Sequence, residues 1–458
     1  MNGSNQSPSW ALALLLGCCA IGTVHAAPED VERLGKDLTC LGAEKAGNAD
    51  GSIPPFSGKW LGVPPHVDFK GTGNHPVDPY PDDKPLFVVT AQNIGQYNDY
   101  LSDGQKALFK LYPATYKIPV YPTRRDFRFN DAVCQATKEN AKVARLVDDG
   151  EGVVGKTGGT AFPVPRSGLE LLKNASTFTL RAWTEEYISD NAYVLKDGNI
   201  NWGRVHSRNL APGLEPDKIG DTTGNSSFYL NETLLPQRDK GEINTGTEFW
   251  NDKTEPRQSW RYDPGTRRVR QSPGYGFDMS FPGSGGSITV DEVRLFNGSG
   301  QRYDWKIVGK REMFIPYNTY RLHAANLKYA NLLTPGHINP DAMRFERHRV
   351  WELEGTLKPG FRHLYGKRKL YIDEDTWFPM LADNYDNRGE LWRTSMVNYF
   401  YAYESQRPQA GVGLYYDLNA GSYLAFNLIN EQRNGYLLNK TGFSPRDFGP
   451  EDARRFGQ

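Results

Sequence analysis

From about residue 168 onward, the chain alternates short apolar runs with turn signals. Residues 193–202 read YVLKDGNINW, and Asp197-Gly198 within them is the strongest two-residue signal for a β-hairpin. The residues flanking each turn alternate between large apolar and polar side chains, which is typical of strands with one buried face. Comparable turns are centred on residues 263–265, 359–360, 374–375, 387–389 and 419–421. This series predicts a large antiparallel sheet over residues 168–458.

The part of the chain before this series has a different composition. Residues 27–85 are rich in Pro, Gly and Asp, which indicates an extended, wrapping segment because prolines and glycines interrupt helices. Residues 91–112 and 130–147 show the apolar spacing of helices. We therefore predict a mainly β protein with a few helices (α+β), in which residues 27–167 form an N-terminal extended and helical segment ahead of the curved β-sheet domain.

The first 26 residues carry the pattern of a signal peptide. Residues 10–21 (WALALLLGCCAI) form an apolar run that is too short to span a bilayer as a helix, and a small-x-small cleavage site ends at Ala26. Residues 1–9 contain no Lys or Arg, which departs from the usual basic start. We predict export of the protein. In the alternative, the sequence LLGC ending at Cys18 is a lipoprotein box, and the mature chain is anchored through a lipidated Cys18.

Two cysteines, Cys40 and Cys134, remain after removal of residues 1–26. In an oxidising compartment they can pair and close a long loop, which stabilises the folded state by restricting the unfolded chain. The alternative is a pair of buried, unpaired thiols, and the sequence leaves both open.

The charge balance and a glycine-rich stretch bear on nucleic-acid and nucleotide binding. Lys plus Arg and Asp plus Glu both number 54, so no basic excess favours nucleic acid. Residues 150–157 (GEGVVGKT) fit the spacing of a phosphate-binding loop. That loop needs a strand before it and a helix after it, whereas residues 158–168 contain several glycines and prolines. We predict neither a nucleic-acid nor a nucleotide partner, and we interpret the stretch as a connection into the sheet.

Carboxylates and histidines are the candidate catalytic or metal-binding residues of the chain. Asp373 and Asp375 of YIDEDTW can share one strand face, whereas the adjacent Glu185 and Glu186 face oppositely. Two carboxylates across a sugar are the requirement of a glycosidase, but a solvated turn is the simpler interpretation of YIDEDTW. No histidine lies in an H-x-x-x-H pattern or close to a cysteine. We predict no enzyme, no cofactor and no metal site; the alternative is a secreted hydrolase that uses carboxylates on a lipid or glycan.

Two arginine clusters alternate with apolar residues along predicted strands, at residues 267–270 and 344–349. Such arginines are typical of a solvated sheet face that pairs with nearby acids. The alternative is that one of the clusters binds an anionic head group.

Large apolar residues recur on the predicted strands, and the chain offers few helices to cover them. An uncovered concave sheet face requires either a packed core or an apolar guest, so the shortage of helices predicts a cavity. For any single residue, plain core is the alternative to ligand binding. The candidate ligand-binding residues are Trp260, Tyr262, Phe314, Trp351, Leu353, Leu370, Ile372, Tyr416, Leu424 and Phe426.

Three stretches resemble an uncharacterised family of exported Gram-negative proteins whose members are labelled outer-membrane lipoprotein-sorting-like. They are residues 41–54 (LGAEKAGNADGSIP), residues 304–322 (DWKIVGKREMFIPYNTYRL) and residues 335–377, which end in YIDEDTW. The last stretch, followed by YDNRGELWR, also resembles the strand-turn-strand of the Lol lipoprotein carriers. The family offers no settled catalytic residues to transfer.

The resemblance implies an open half-barrel of lipoprotein-carrier type, with an antiparallel sheet over helices and acyl chains in its concave face. It further implies a periplasmic carrier of a lipid or another hydrophobic molecule, in service of an exporter system. The implied partners are a resistance-nodulation-division exporter and an outer-membrane protein.

Overall fold

The computed structural model describes residues 28–176, 181–272, 277–281, 284–439 and 442–456. The predicted signal peptide, including Cys18, lies outside these residues. Within the described part, no helix is long and apolar enough to cross a membrane.

Helices and strands follow one another in a mostly β arrangement. The helices are α1 (Pro28–Arg33), α2 (Asp103–Leu111), α3 (Asp131–Val143), α4 (Gly168–Ser176), α5 (Tyr329–Leu332) and α6 (Pro450–Phe456). The strands of the first half are β1 (Phe87–Val89), β2 (Ile118–Val120), β3 (Arg145–Val147), β4 (Gly152–Val154), β5 (Thr184–Val194), β6 (Ile200–Leu210), β7 (Asn225–Leu235), β8 (Ile243–Phe249), β9 (Gln258–Asp263) and β10 (Arg268–Gln271). Those of the second half are β11 (Tyr303–Pro316), β12 (Phe345–Leu357), β13 (Lys367–Asp373), β14 (Pro379–Tyr385), β15 (Leu391–Ala402), β16 (Arg407–Asp417), β17 (Ser422–Leu428) and β18 (Leu437–Leu438).

One large open sheet contains all of these strands except β3 and β4, which pair with each other. Its order is β1-β2-β12-β13-β14-β15-β16-β17-β5-β6-β7-β8-β9-β10, with β11 added on β12 and β18 on β5. In the described residues, β1 and β10 do not pair with each other, so the sheet does not close. The predicted mainly β class and the open sheet are confirmed. The sheet is not purely antiparallel, because β2 of the N-terminal segment joins β12 in parallel at Val120 and Phe345.

The six predicted turns all connect consecutive antiparallel strands. Asp197-Gly198 joins β5 to β6, and Gly198 adopts a φ of 87°, which favours glycine. Four of the other turns join β9 to β10, β13 to β14, β14 to β15 and β16 to β17. The turn at residues 359–360 lies in a longer connection between β12 and β13. The alternation of side chains was therefore a sufficient guide to the meander.

The register of the strands defines two faces of the sheet, which we call face A and face B. Leu353 lies opposite Leu370, and the same side continues through Tyr415 and Leu424 to Tyr193; this side is face A. Residues at the alternate positions form face B. Register shifts interrupt several ladders, for example between Val397 and Tyr399, and such bulges bend a sheet.

Helix α2 covers face B at the centre of the sheet. The helix begins after Ser102, whose hydroxyl accepts from the Gln105 amide while the Gln105 side chain accepts from the Ser102 amide. The helix is shorter than the predicted range 91–112, because only single turns of 3-10 helix precede Ser102. A Cβ on Gly104 would lie 1.9 Å from the Thr394 hydroxyl, so glycine is required for this close approach.

Two parts of the chain cover face A. Helix α4 packs against β11 and β12, and the segment Val290–Leu295 packs against β14 and β15. Beside them lies the N-terminal segment, held by a disulfide between Cys40 and Cys134 whose Cα atoms are 5.2 Å apart. The structure thereby decides between the two alternatives for these cysteines in favour of the pair.

The glycine-rich stretch 150–157 is part of the connection between the N-terminal segment and the sheet. Its residues 152–154 form β4, and the Lys156 ammonium pairs with Asp221 at 2.7 Å. Asn140 of α3 binds both the amide and the carbonyl of Lys156. Helix α4 begins only at Gly168, so the helix that would complete a phosphate-binding loop does not follow the stretch.

Candidate functional site

The larger of two cavities on face A lies between the sheet and the N-terminal segment. It has a volume of about 240 Å³, and its walls are mostly apolar. The N-terminal segment contributes the disulfide, Leu41 and the stretch 124–131, whereas β14, β15 and β16 contribute the opposite wall. The apolar side chains of the lining include Leu41, Phe56, Phe127, Phe129, Met380, Tyr399, Phe400, Tyr401 and Pro408. We call this space the apolar cavity.

The smaller cavity lies further along face A, beneath the segment Val290–Leu295. It has a volume of about 120 Å³, and its lining mixes charged, amide and hydroxyl groups with six apolar side chains. The polar residues of its lining include Arg181, Tyr187, Ser207, Asn209, Tyr229, Asn231, Glu248, Arg257, Arg294 and Asn427. We call this space the polar cavity.

The linings of the two cavities adjoin along the ladder between β15 and β16. Tyr399 lines the apolar cavity, and Ala410, its partner across the ladder, lines the polar cavity. On one side of this pair, the paired residues Val397 and Gly413 line the polar cavity. On the other side, the paired residues Tyr401 and Pro408 line the apolar cavity. An apolar and a polar lining thus follow one another along face A.

A buried group of acids lies at the edge of the apolar cavity, in the turn between β13 and β14. Asp373 and Glu374 are almost inaccessible, and Asp375 lines the cavity. The interpretation of this turn as solvated is therefore wrong. The reason is that the N-terminal segment covers the turn and supplies Arg125, which binds both carboxylate oxygens of Asp375 at 2.7 and 2.8 Å.

Asp373 and His348 face each other beside this ion pair. One oxygen of Asp373 accepts from the Thr376 hydroxyl at 2.7 Å, while its Oδ1 has no hydrogen-bond partner among the described residues. His348 Nε2 lies 3.1 Å from a carboxylate oxygen of Glu346, and His348 Nδ1 lies 4.0 Å from Asp373 Oδ1. Tyr317 stacks on the imidazole with ring centroids 3.8 Å apart.

The two aspartates of the turn have opposite pKa shifts. Burial, together with the charge of Asp375, raises the pKa of Asp373 to about 7. Burial acts in the same sense on Asp375, but the Arg125 guanidinium outweighs it and lowers the pKa of Asp375. At neutral pH Asp375 therefore stays charged, whereas Asp373 is close to the pH at which it takes up a proton.

The raised pKa of Asp373 makes stability depend on pH. In the unfolded chain an Asp titrates near 3.9, so between about pH 4 and pH 7 the folded state binds more protons than the unfolded state. The contribution of Asp373 to the free energy of unfolding must then fall as the pH rises through this window. Asp373→Asn has no titrating group at this position. We therefore expect the stability of the variant, relative to that of the wild type, to increase as the pH rises from about 5 to about 8. Thermal unfolding at both pH values measures this, and a difference in Tm that does not change with pH would contradict it.

His348, Asp373 and Asp375 are also the group that comes nearest to a metal site. Their ligand atoms, one nitrogen and two carboxylate oxygens, all lie within 4.8 Å of one another. However, Arg125 already binds both oxygens of Asp375 and places a positive charge beside it. The cluster is thus described more completely as a network of ion pairs than as a cation site, and we assign no metal to it.

The arginines of the cluster at residues 344–349 are paired with acids. Arg344 binds Glu346 at 2.6 Å and Asp83 at 2.8 Å, and it is buried rather than solvated. Arg349 binds Glu374 at 3.1 Å. These pairs leave little positive charge for an external anion at this cluster.

Six of the ten candidate ligand-binding residues share face A. Among them Phe426 lines the polar cavity, and the other five fill the core between the sheet and its cover. The five are Trp351, Leu353, Leu370, Ile372 and Leu424.

The remaining four candidates lie elsewhere. Tyr416 lies on face B, opposite Thr394, and Trp260 and Tyr262 are also on face B, where Tyr262 packs in a cluster that includes Ala453 of α6. Phe314 lies near the edge of the sheet in contact with the aromatic rings of residues 87, 97 and 100.

The structure brings residues to the cavities that the sequence did not single out. Phe127, Phe129 and Arg125 come from the N-terminal segment, and Arg181 comes from the start of the sheet domain. The only local signal was the aromatic-basic run RRDFRF at residues 124–129, which has no periodicity by which to place it. Its position follows from the parallel pairing of β2 with β12, which is not visible in the sequence.

Known proteins similar to this chain include one relative of nearly full length and two solved structures. An uncharacterised protein of Pseudomonas aeruginosa is 40% identical over 430 residues, covering 94% of this chain and 93% of that protein. A putative outer membrane lipoprotein-sorting protein domain from Vibrio parahaemolyticus is similar at 15% identity over 63% of this chain and 98% of its own, with a TM-score of 0.40. A LolA superfamily protein from Nitrosomonas europaea is similar at 13% identity over 62% of this chain and 98% of its own, with a TM-score of 0.36.

The family is shown by the sequence. A family model described as "Protein of unknown function (DUF1329)" matches residues 88–454, which include the strands of both cavities and the acidic turn. The resemblance to an uncharacterised family is confirmed: the chain belongs to the DUF1329 family.

Proposed function

We propose that the protein binds a lipid or another hydrophobic molecule on face A and carries it within the cell envelope. The observation that supports this is the apolar cavity of about 240 Å³ between the sheet and the N-terminal segment. An engineered apolar cavity of about 150 Å³ already accepts a benzene molecule, so this one has room for a longer apolar group. Each buried CH₂ contributes about 0.8 kcal/mol, which supplies affinity without any chemistry.

A bulky substitution in the cavity wall tests the proposal. Met380 is fully buried and lines the apolar cavity, so Met380→Trp should fill part of it. We expect the affinity for the neutral dye N-phenylnaphthylamine, measured by fluorescence titration, to fall by about ten-fold or more. Overpacking costs about 1–3 kcal/mol, so Tm is measured in parallel to show that the variant is folded.

Met279→Trp is the matched control, because Met279 is 46% exposed and lines neither cavity. It should bind the dye as the wild type does. A wild-type protein that binds no dye, or a folded Met380→Trp protein that binds it unchanged, would refute the carrier function.

We further propose that the carrier works in the periplasm. The predicted signal peptide supports this location, and the Cys40–Cys134 disulfide suits an oxidising compartment. Anchoring through Cys18 stays a prediction; the intact mass of the mature protein would reveal the lipid. A mature chain that begins at Ala27 would rule out the anchor.

The partners implied by the sequence resemblance are a resistance-nodulation-division exporter and an outer-membrane protein. We propose them as the donor and acceptor of the carried molecule. Affinity purification of the tagged protein from solubilised envelopes would test this, since neither partner should be enriched if the proposal is wrong.

A hydrolase is the second candidate, and the acidic turn is the observation that favours it. Asp373 has a pKa near neutrality, as a general acid or base requires. Against it, Asp375 is bound through both oxygens by Arg125, and Asp373 does not line the cavity. Assays with lipid esters and glycosides would decide: turnover by the wild type that is lost in Asp373→Asn would favour the hydrolase over the carrier.

A further inference from the structure

Arg181 differs from the other arginines of the polar cavity in its surroundings. Arg257 binds Glu248 at 2.9 Å, and Arg294 binds Glu185 at 3.2 Å. Arg181 lines the same cavity, but no described carboxylate lies within 4 Å of it, and its buried Nε has no hydrogen-bond partner among the described residues.

A guanidinium in this position is unfavourable without an anion. Moving a cation away from water is costly unless a counter-charge and hydrogen bonds replace the water. Burial lowers the pKa of Arg181, and the neighbouring charge of Arg294 lowers it further. Arg181 is therefore the group of the cavity whose environment improves most when an anion enters.

The charges around the polar cavity leave room for one negative charge. Three arginines contribute three positive charges, while Glu248 and the adjoining Glu185 contribute two negative ones. The uncharged polar side chains of the lining carry hydroxyl and amide groups, which also suit a small anionic group.

The position of the polar cavity indicates which kind of molecule the anionic group belongs to. The linings of the polar and apolar cavities adjoin at the paired residues Tyr399 and Ala410, and Phe426 and Val397 add apolar surface to the polar side. Of the arginines that line the apolar cavity, Arg124 and Arg125 bind the carboxylates of Asp83 and Asp375, and Arg128 donates to the carbonyl of Gly58. The two ends of the space on face A thus differ in chemistry in the way that the two ends of an amphiphile do.

We propose that the carried molecule is an anionic amphiphile, whose carboxylate or phosphate head group binds Arg181 in the polar cavity while its alkyl chain occupies the apolar cavity. This inference rests on the proposed carrier function and names the substrate class.

The test compares ligands that share a twelve-carbon chain and differ in the head group. Dodecanoate, dodecyl phosphate and dodecanol are titrated into the mature, disulfide-bonded protein by calorimetry, with acetate and inorganic phosphate as head groups without a chain. We expect dodecanoate or dodecyl phosphate to bind at least about ten-fold more tightly than dodecanol. The preferred of the two anions identifies the head group, and its chainless counterpart should bind far more weakly.

Variants at residue 181 assign the preference to its side chain. Arg181→Gln should bind dodecanol as the wild type does but lose the ten-fold preference for the anion, whereas Arg181→Lys should retain part of it. Arg388→Gln, at an arginine that is mostly exposed in the turn between β14 and β15, should change nothing. Because Arg181→Gln removes a charge to which no described carboxylate binds, its Tm should not fall, and this shows that a lost preference is not caused by misfolding.

The outcomes separate the two proposals. If none of the twelve-carbon ligands binds, the carrier function itself fails. If dodecanol binds as tightly as the anions, or if Arg181→Gln keeps the preference, the carrier function stands and the anionic head group is wrong. Equal affinity for a chainless anion and its amphiphile would also overturn the inference, because it would indicate a free-anion site.

Discussion

Removal of the disulfide by Cys40→Ala and Cys134→Ala together should lower the free energy of unfolding by about 4 kcal/mol. The bridge spans 94 residues of sequence, and a loop of that length restricts the unfolded chain strongly. Urea unfolding followed by tryptophan fluorescence measures the change.

Reductant provides the control for this result. The wild type in dithiothreitol should unfold like the double variant, and the double variant should not respond to reductant. Both cysteines line the apolar cavity, so the variant should also bind N-phenylnaphthylamine more weakly. An unchanged unfolding midpoint would show that the disulfide does not restrict the unfolded chain as expected.

Arg125→Met should destabilise the protein by about 3–5 kcal/mol, because it leaves Asp375 buried without its cation. Arg125 and Asp375 are both nearly inaccessible, and the guanidinium also donates to the carbonyls of Glu44 and Pro54. The substitution thus removes the attachment of the N-terminal segment to the acidic turn as well as the ion pair. Urea unfolding at neutral pH measures the loss.

A second substitution separates the two contributions. Arg125→Met combined with Asp375→Leu removes both charges, and the double variant should be more stable than Arg125→Met alone because no buried charge is left unpaired. Arg388→Met is the matched control, since this arginine is exposed and its removal should have no measurable effect. An Arg125→Met protein as stable as this control would show that the buried pair contributes nothing.

The strands and their turns were predictable because their signals are local. Asp197-Gly198 fixes a hairpin through the backbone of two residues, and the alternation around it follows from the period of a strand. The same local signals failed to predict burial where contacts between distant parts of the chain determine it. YIDEDTW appears as a solvated turn until the N-terminal segment places Arg125 over it.

The choice of ligand-binding residues shows the limit of alternation. Leu424 and Tyr416 are both large and apolar, yet they lie on opposite faces, and both faces of this sheet are covered. Hydrophobicity therefore marks burial but does not distinguish a side chain that fills the core from one that lines a cavity. His348 and Asp373 were equally invisible as neighbours, because they meet only through the register of β12 and β13.

By itself, the sequence determined the mainly β class, the order of the hairpins and the family, since each depends on residues close together in the chain or on overall similarity. The tertiary structure decided the pairing of Cys40 with Cys134, the burial of the acidic turn, the position of both cavities and the isolation of Arg181. All four depend on how the N-terminal segment and the segment Val290–Leu295 fold back on face A. The physical reason is that contacts between distant residues are set by the packing of whole elements, which no local pattern of residues encodes.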